Sequence, residues 1–344
     1  MDTATSMEES TDVDDHHRQK EYILTFDLGH KVQQLSSIGL KVPSPQDPFF
    51  QEIRAEITHR FAQYFPNAVI KAMGMHELSA NIMAQAIHQQ QSLKKSFVAT
   101  TCLEIAGLKH GYPLDVNRVI SSNGKIVGIG PRPGSPSIAD QIKMLASISE
   151  NQSVILVEDG AFTGTTVSFI LEELQRHKVE VAAVVIGFAF PGTVKKIQSV
   201  FNGEVIIVEE IKADFIDWMP DHDFFLFAPN CGRVLGLKWN GQAVPFYGHR
   251  GESYAVPYLQ GFCDMSAWTN IPAEHCGSFS LFCVQQSLAF WQHIEAINSA
   301  DLRIGDLLGV YPRINIPCGV GDHSFPSLDS YVIHYLSETC HMLV

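Results

Sequence analysis

The feature that most constrains this chain is the run Val154-Ile-Leu-Val157, four aliphatic residues with no polar break, closed by Glu158-Asp159 and a loop of small residues. A half-buried strand alternates apolar and polar side chains, so an unbroken run of this length bounded by turn residues reads as a strand buried on both faces. The cover for one face is written just downstream, where Val167, Ile170, Leu171 and Leu174 fall at i, i+3, i+4 and i+7 and form one stripe of a helix. The same alternation extends in both directions. Short apolar runs are expected at Ala68 to Ala72, Phe97 to Thr101, Lys125 to Ile129, Val181 to Phe190 and Glu204 to Val208. Helices are expected from Pro48 (Phe49, Ile53, Ile57, Phe61), from Ser79, from Ser137 with Asp140 completing a capping box, and after Thr193. Strands alternating with helices require a parallel sheet with helices on both faces, an α/β, Rossmann-like architecture.

The chain of 344 residues has room for about two domains at roughly 150 residues each. Its 45% hydrophobic and 18% charged residues exclude a mainly disordered, collagenous or coiled-coil protein. Residues 1–20 are acidic and without periodicity, and a flexible tail is expected there. Residues 21–238 carry the β-α pattern, and 239–344, where Gly, Pro, Tyr and Cys become frequent, are expected to form an appended subdomain with helices around Leu281 to Trp291 and Leu328 to Met342. The balance of 37 acidic against 24 basic residues, net −13, supplies no basic stripe for a nucleic-acid backbone. No apolar run approaches the ~20 residues of a membrane span, and the N-terminus has no signal-peptide core, so a cytoplasmic protein with no membrane partner is expected. The seven cysteines include no C-x-x-C pair and read as reduced thiols; a zinc set of Cys263, His275, Cys276 and His323 is poorly spaced for that metal.

The segment that carries chemistry runs from Val154 to Thr166: apolar strand, Glu158-Asp159, then Gly160-Ala-Phe-Thr163-Gly-Thr-Thr166 and a helix. Backbone N–H groups at a helix N-terminus form an anion site, and threonine hydroxyls add donors, so a phosphate can sit there without a Lys or Arg. Two carboxylates at the strand's carboxyl end can accept bonds from vicinal sugar hydroxyls or hold a hydrated magnesium ion. Ligands of open α/β sheets bind beyond that same end.

Here the chain resembles the type I phosphoribosyltransferase family, whose signature for 5-phosphoribosyl-1-pyrophosphate (PRPP) is four apolar residues, two acidic residues and a loop ending Thr-Gly-x-Thr or similar. The resemblance is sharp over Val154 to Thr166 and architectural over roughly Ile53 to Gly236. It implies the type I phosphoribosyltransferase fold, with Glu158 and Asp159 as catalytic residues on the ribose hydroxyls. It implies a 5′-phosphate cradle of Gly160, Ala161, Phe162, Thr163, Gly164, Thr165 and Thr166, with Mg²⁺ brought on PRPP and touching Glu158 and Asp159. A pyrophosphate loop is expected at Gly74, Met75 and His76, and a hood over the acceptor at Asp217, Trp218 and Phe224, with Phe225 beside it. A flexible loop between Leu108 and Pro136 offers Lys109, His110, Arg118, Lys125 and Arg132, and Arg233 is a further candidate for pyrophosphate. Phe162 departs from members acting on 6-oxopurines, which carry an Asp there; a phenyl ring cannot act as a base.

The implied activity is transfer of the phosphoribosyl group to a nucleobase-like or other small acceptor with release of pyrophosphate, by a protein that is commonly a homodimer in this family. Two other readings stay open: a non-catalytic PRPP or nucleotide sensor, and a specialised ribosyl-phosphate enzyme of a biosynthetic cluster.

Overall fold

A computed structural model describes residues 20–93, 96–101, 111–149, 152–211, 214–310, 313–315 and 327–344. Residues 1–19 of the expected acidic tail, Lys109, His110 and His323 lie outside them, and Lys20 opens a strand. The protein is α/β, with parallel sheets and helices, but its strands fall into three sheets rather than one.

The signature strand, Ser153–Ala161, is the middle strand of a five-stranded parallel sheet, between Ser96–Thr100 and Val181–Ala189, with Tyr112–Pro113 and Glu204–Glu210 at the edges. Both of its faces are covered, which is why its apolar run has no polar break. Val154 and Leu156 point into a cluster with Val167, Ile170, Leu171 and Leu174 of the helix Thr165–Arg176. Ile155 and Val157 point the other way, against Leu78, Ile82 and Ala86 of the helix Met75–Ser92. All four strand residues are fully buried, each contributing about 1.5–3 kcal/mol of transfer free energy.

A second parallel sheet, of three strands, was not expected. Lys20–Phe26 pairs in parallel with Ala68–Gly74 on one side and Phe215–Pro220 on the other. Ala68–Gly74 therefore does not join the signature sheet. The helix after it begins at Met75, four residues before the expected Ser79, because Gly74 stays extended and the chain turns helical at once. The third sheet is mixed. The hairpin Val116–Ile120 and Ile126–Pro131 is antiparallel, and Arg233–Trp239 joins it in parallel through Val234 and Leu235. Lys125–Ile129 is thus part of an antiparallel hairpin rather than a parallel strand.

Residues 239–344 have no core separate from the rest among the described residues. Phe279, Phe290 and Trp291 of the helix Ala273–Asn298, and Tyr335 and Leu336 of the helix Val332–Leu343, pack in one cluster with Tyr22, Leu24, Ile57 and Phe61. Asp47 caps the helix Pro48–Tyr64, accepting from the Phe49 N–H, and Ser137 caps Ile138–Ile148 at the Asp140 N–H, both where expected. No helix among the described residues is long and apolar enough to cross a membrane.

Candidate functional site

The carboxyl ends of Ser153–Ala161 and of the two parallel strands Lys20–Phe26 and Phe215–Pro220 open into one cleft of about 440 Å³. Glu158, Asp159 and the whole loop Gly160 to Thr166 line it. The loop's path is held from outside. The Thr193 hydroxyl lies 2.8 Å from the Phe162 carbonyl and 3.2 Å from that of Ala161, in position to donate to either. Gly164 turns the chain into the helix with φ +69°, and a Cβ there would also come within 3.3 Å of Ile197 and Thr193. The helix then leaves the amides of its first turn facing the cleft without intrahelical acceptors. The Thr163 and Thr165 hydroxyls are 2.9 Å apart at the loop's exposed tip. Phe162 packs edge-on against Phe190 and Phe215 rather than standing free in the cleft.

The loop could hold a phosphate without a cation, but Lys196, on the helix Thr193–Gln198, donates to the Thr165 hydroxyl at 3.0 Å. Nothing local marks Lys196, which is one of two adjacent lysines on a short helix; only the fold brings it to the loop.

The two carboxylates are unequal. Asp159 accepts a 2.8 Å bond from the Gly160 N–H. Glu158 has a buried Oε2 with no hydrogen-bond partner among the described residues. Burial and the charge of Asp159 push its carboxyl well above the usual range, against the pull of Arg132 and Arg118. Both arginines line the cleft, as do Lys31 and Arg233. The Arg233 guanidinium sits 4.6 Å over the Trp268 ring and 4.9 Å over the Tyr258 ring, and also bonds the Tyr258 hydroxyl. Burial works against its charge, but Tyr258 and Asp223 more than offset that. Lys31, Arg118, Arg132 and Arg233 share the lining with Asp27, Glu158, Asp159, Asp217 and Asp223, so the cleft offers cations for phosphates and carboxylates for a polyhydroxyl centre.

The other expected residues separate. Asp217 and Trp218 line the cleft. Asp217 accepts from the Trp218 N–H at 2.8 Å and the Asn270 amide at 2.9 Å, yet burial raises its carboxyl to about 6. The Trp218 indole donates to the Thr25 hydroxyl at 3.1 Å. Phe224 does not line the cleft: it is fully buried against Phe61 and Phe279, as is Phe225 nearby, because the core takes both rings. Gly74, Met75 and His76 lie outside the cleft lining, at the end of a strand of the three-stranded sheet. Thr101, at the carboxyl end of the strand beside the signature strand, lines it instead; its amide and hydroxyl bond the Val157 carbonyl. The sequence signal for Thr101 is its place as the last residue of the apolar run Phe97 to Thr101, since the end of a parallel strand is where ligands bind. Of the flexible-loop candidates Arg118 and Arg132 reach the cleft and Lys125 does not.

No family model matches this chain, and no curated protein does. Among solved structures, the chain is similar to TT1426 from Thermus thermophilus, at 17% identity over 40% of this chain and 83% of that one, TM-score 0.27. It is also similar to a purine phosphoribosyltransferase from Pyrococcus horikoshii, at 16% identity over 40% of this chain and 85% of that one, TM-score 0.25.

Proposed function

We propose that the cleft binds PRPP and transfers its phosphoribosyl group to a small acceptor, with Glu158 and Asp159 on the ribose hydroxyls and the loop Gly160 to Thr166 on the 5′-phosphate. The observation that carries this reading is the convergence, in one cleft, of the carboxylate pair and the helix-capping loop with Arg118, Arg132, Lys31 and Arg233. Displacement at C1′ builds positive charge on the sugar and negative charge on the leaving pyrophosphate. The adjacent carboxylates stabilise the first, and arginines already in place stabilise the second without reorganising.

Magnesium keeps most of its waters and binds through one or two carboxylates plus substrate phosphates. The unpartnered Oε2 of Glu158, beside Asp159, fits that demand. An ion held there would supply charge neutralisation on the pyrophosphate; the positioning belongs to the protein.

The test is calorimetric titration with PRPP and Mg²⁺. Saturable binding is expected, and it should be lost in the E158Q/D159N double variant while the circular dichroism spectrum is kept. T163V should weaken binding by one hydrogen bond to a charged group, about 1.5–3 kcal/mol. Unchanged affinity in the double variant refutes the assignment. Binding without pyrophosphate release for any acceptor would make the protein a sensor.

A further inference from the structure

The loop Gly160 to Thr166 contains no titratable side chain, and an acceptor that attacks through N–H or O–H must give up a proton. Across the cleft stands a cluster that the sequence did not bring together. The Nδ1 of His222 lies 2.8 Å from Oδ1 of Asp27, both residues line the cleft, and both are buried. Lys31 stands 3.5 Å from the other oxygen of Asp27. Asp221 also contacts the Asp27 side chain, and its Oδ1 accepts the Asp27 and Leu28 amides at 2.8 and 2.9 Å. Burial and Asp27 push the Asp221 carboxyl well above its ordinary range. Burial would raise Asp27 too, but His222 and Lys31 outweigh it and hold it below the usual range, ionised. An ionised carboxylate can only accept, so His222 carries its proton on Nδ1. Its Nε2 lies 3.5 Å from Oδ1 of Asp223, beyond ordinary hydrogen-bond length. That Asp223 oxygen accepts the Gly232 amide. The other carboxylate on this wall, Asp217, has both oxygens engaged by donors.

We propose that His222 is the general base of the transfer, a catalytic residue oriented by Asp27 as its positioning residue. The inference rests on reading the cleft as a PRPP site. In the step, the acceptor's N or O forms a bond to C1′ and the C1′–O bond to pyrophosphate breaks. The bonding pair leaves with the pyrophosphate oxygen, and the acceptor's proton passes to His222 Nε2.

Three measurements on the full chain test it. Calorimetry with PRPP and Mg²⁺ comes first. Wild type that fails to bind overturns the reading of the cleft itself, whereas binding by wild type and by H222Q with similar affinity isolates the inference. Second is pyrophosphate release from PRPP with water and with purine and pyrimidine bases as acceptors. H222Q should lower kcat about 100-fold or more, within the usual contribution of a positioned base, with KM for PRPP nearly unchanged. D27N should lower kcat as well, with KM for PRPP nearly unchanged. Unaltered kcat in H222Q, or no release by wild type with any acceptor, overturns the proposal. Third, long-range ¹H–¹⁵N spectra of wild type, with the His222 signal identified by its loss in H222Q or its shift in D27N, should show a protonated Nδ1 and a bare Nε2 at neutral pH. A proton on Nε2 overturns the proposal even where H222Q fails to fold.

Discussion

Gly160 couples the packing of the signature sheet to the geometry of the cleft, and Gly160→Ala tests both. It pairs in register with Phe188 on the neighbouring strand, and a Cβ at 160 would stand 2.4, 2.6 and 2.9 Å from three atoms of that ring. Carbon atoms rest about 3.5–4.0 Å apart, so the ring must retreat by about 1 Å. It has no room to do so, being fully buried with Trp218 edge-on at 4.8 Å and Phe190 at 6.0 Å. Overpacking of this kind costs about 1–3 kcal/mol. The strain reaches the site by two routes: Trp218 lines the cleft, and the Gly160 N–H donates to Asp159. The expected outcome is a lower urea midpoint at unchanged slope, together with weaker PRPP binding by calorimetry. A variant within about 0.5 kcal/mol of wild type, with unaltered PRPP affinity, would refute the reasoning, since surface-like tolerance is not possible for a close-packed position.

Asp217 makes the site pH-dependent. Its carboxyl is raised to about 6, so it is neutral at pH 5 and ionised at pH 7, placing a new negative charge in the cleft. Pyrophosphate affinity should therefore fall across that window, and D217N should remove this part of the fall; an identical pH curve for the two proteins counts against it. The same shift means the fold holds the Asp217 proton more tightly than the unfolded chain does, so this group's contribution to stability declines as pH rises from about 4 towards 6. Gly277→Ala is the opposite of Gly160→Ala. In the interior of the helix Ala273–Asn298 an added Cβ meets nothing within 4 Å, and the substitution should raise the urea midpoint by the equivalent of about 0.4–1 kcal/mol.

Local patterns in this chain were legible where the physics is local. The period of Val167, Ile170, Leu171 and Leu174, the caps at Asp47 and Ser137, and the apolar run Val154 to Val157 each state their own environment, and the structure buries or caps them accordingly. The strand Lys20–Phe26 was missed because its partners lie about 50 and 190 residues away, Ala68–Gly74 and Phe215–Pro220. Phe224 was misplaced in the hood because an aromatic residue reads alike in a core and at a ligand; only the neighbours Phe61 and Phe279 distinguish them.

By itself the sequence determined an α/β protein with a buried parallel strand that ends in Glu158-Asp159 and a loop built to cap a helix, because backbone periodicity and loop chemistry are properties of contiguous residues. The tertiary structure decided who faces that loop. Asp27 with Lys31, the hairpin arginines Arg118 and Arg132, His222 and Arg233 come from separate segments and meet only where the sheets converge. Their charges act through a few ångströms of partly desolvated space, and no spacing along the chain encodes such a distance.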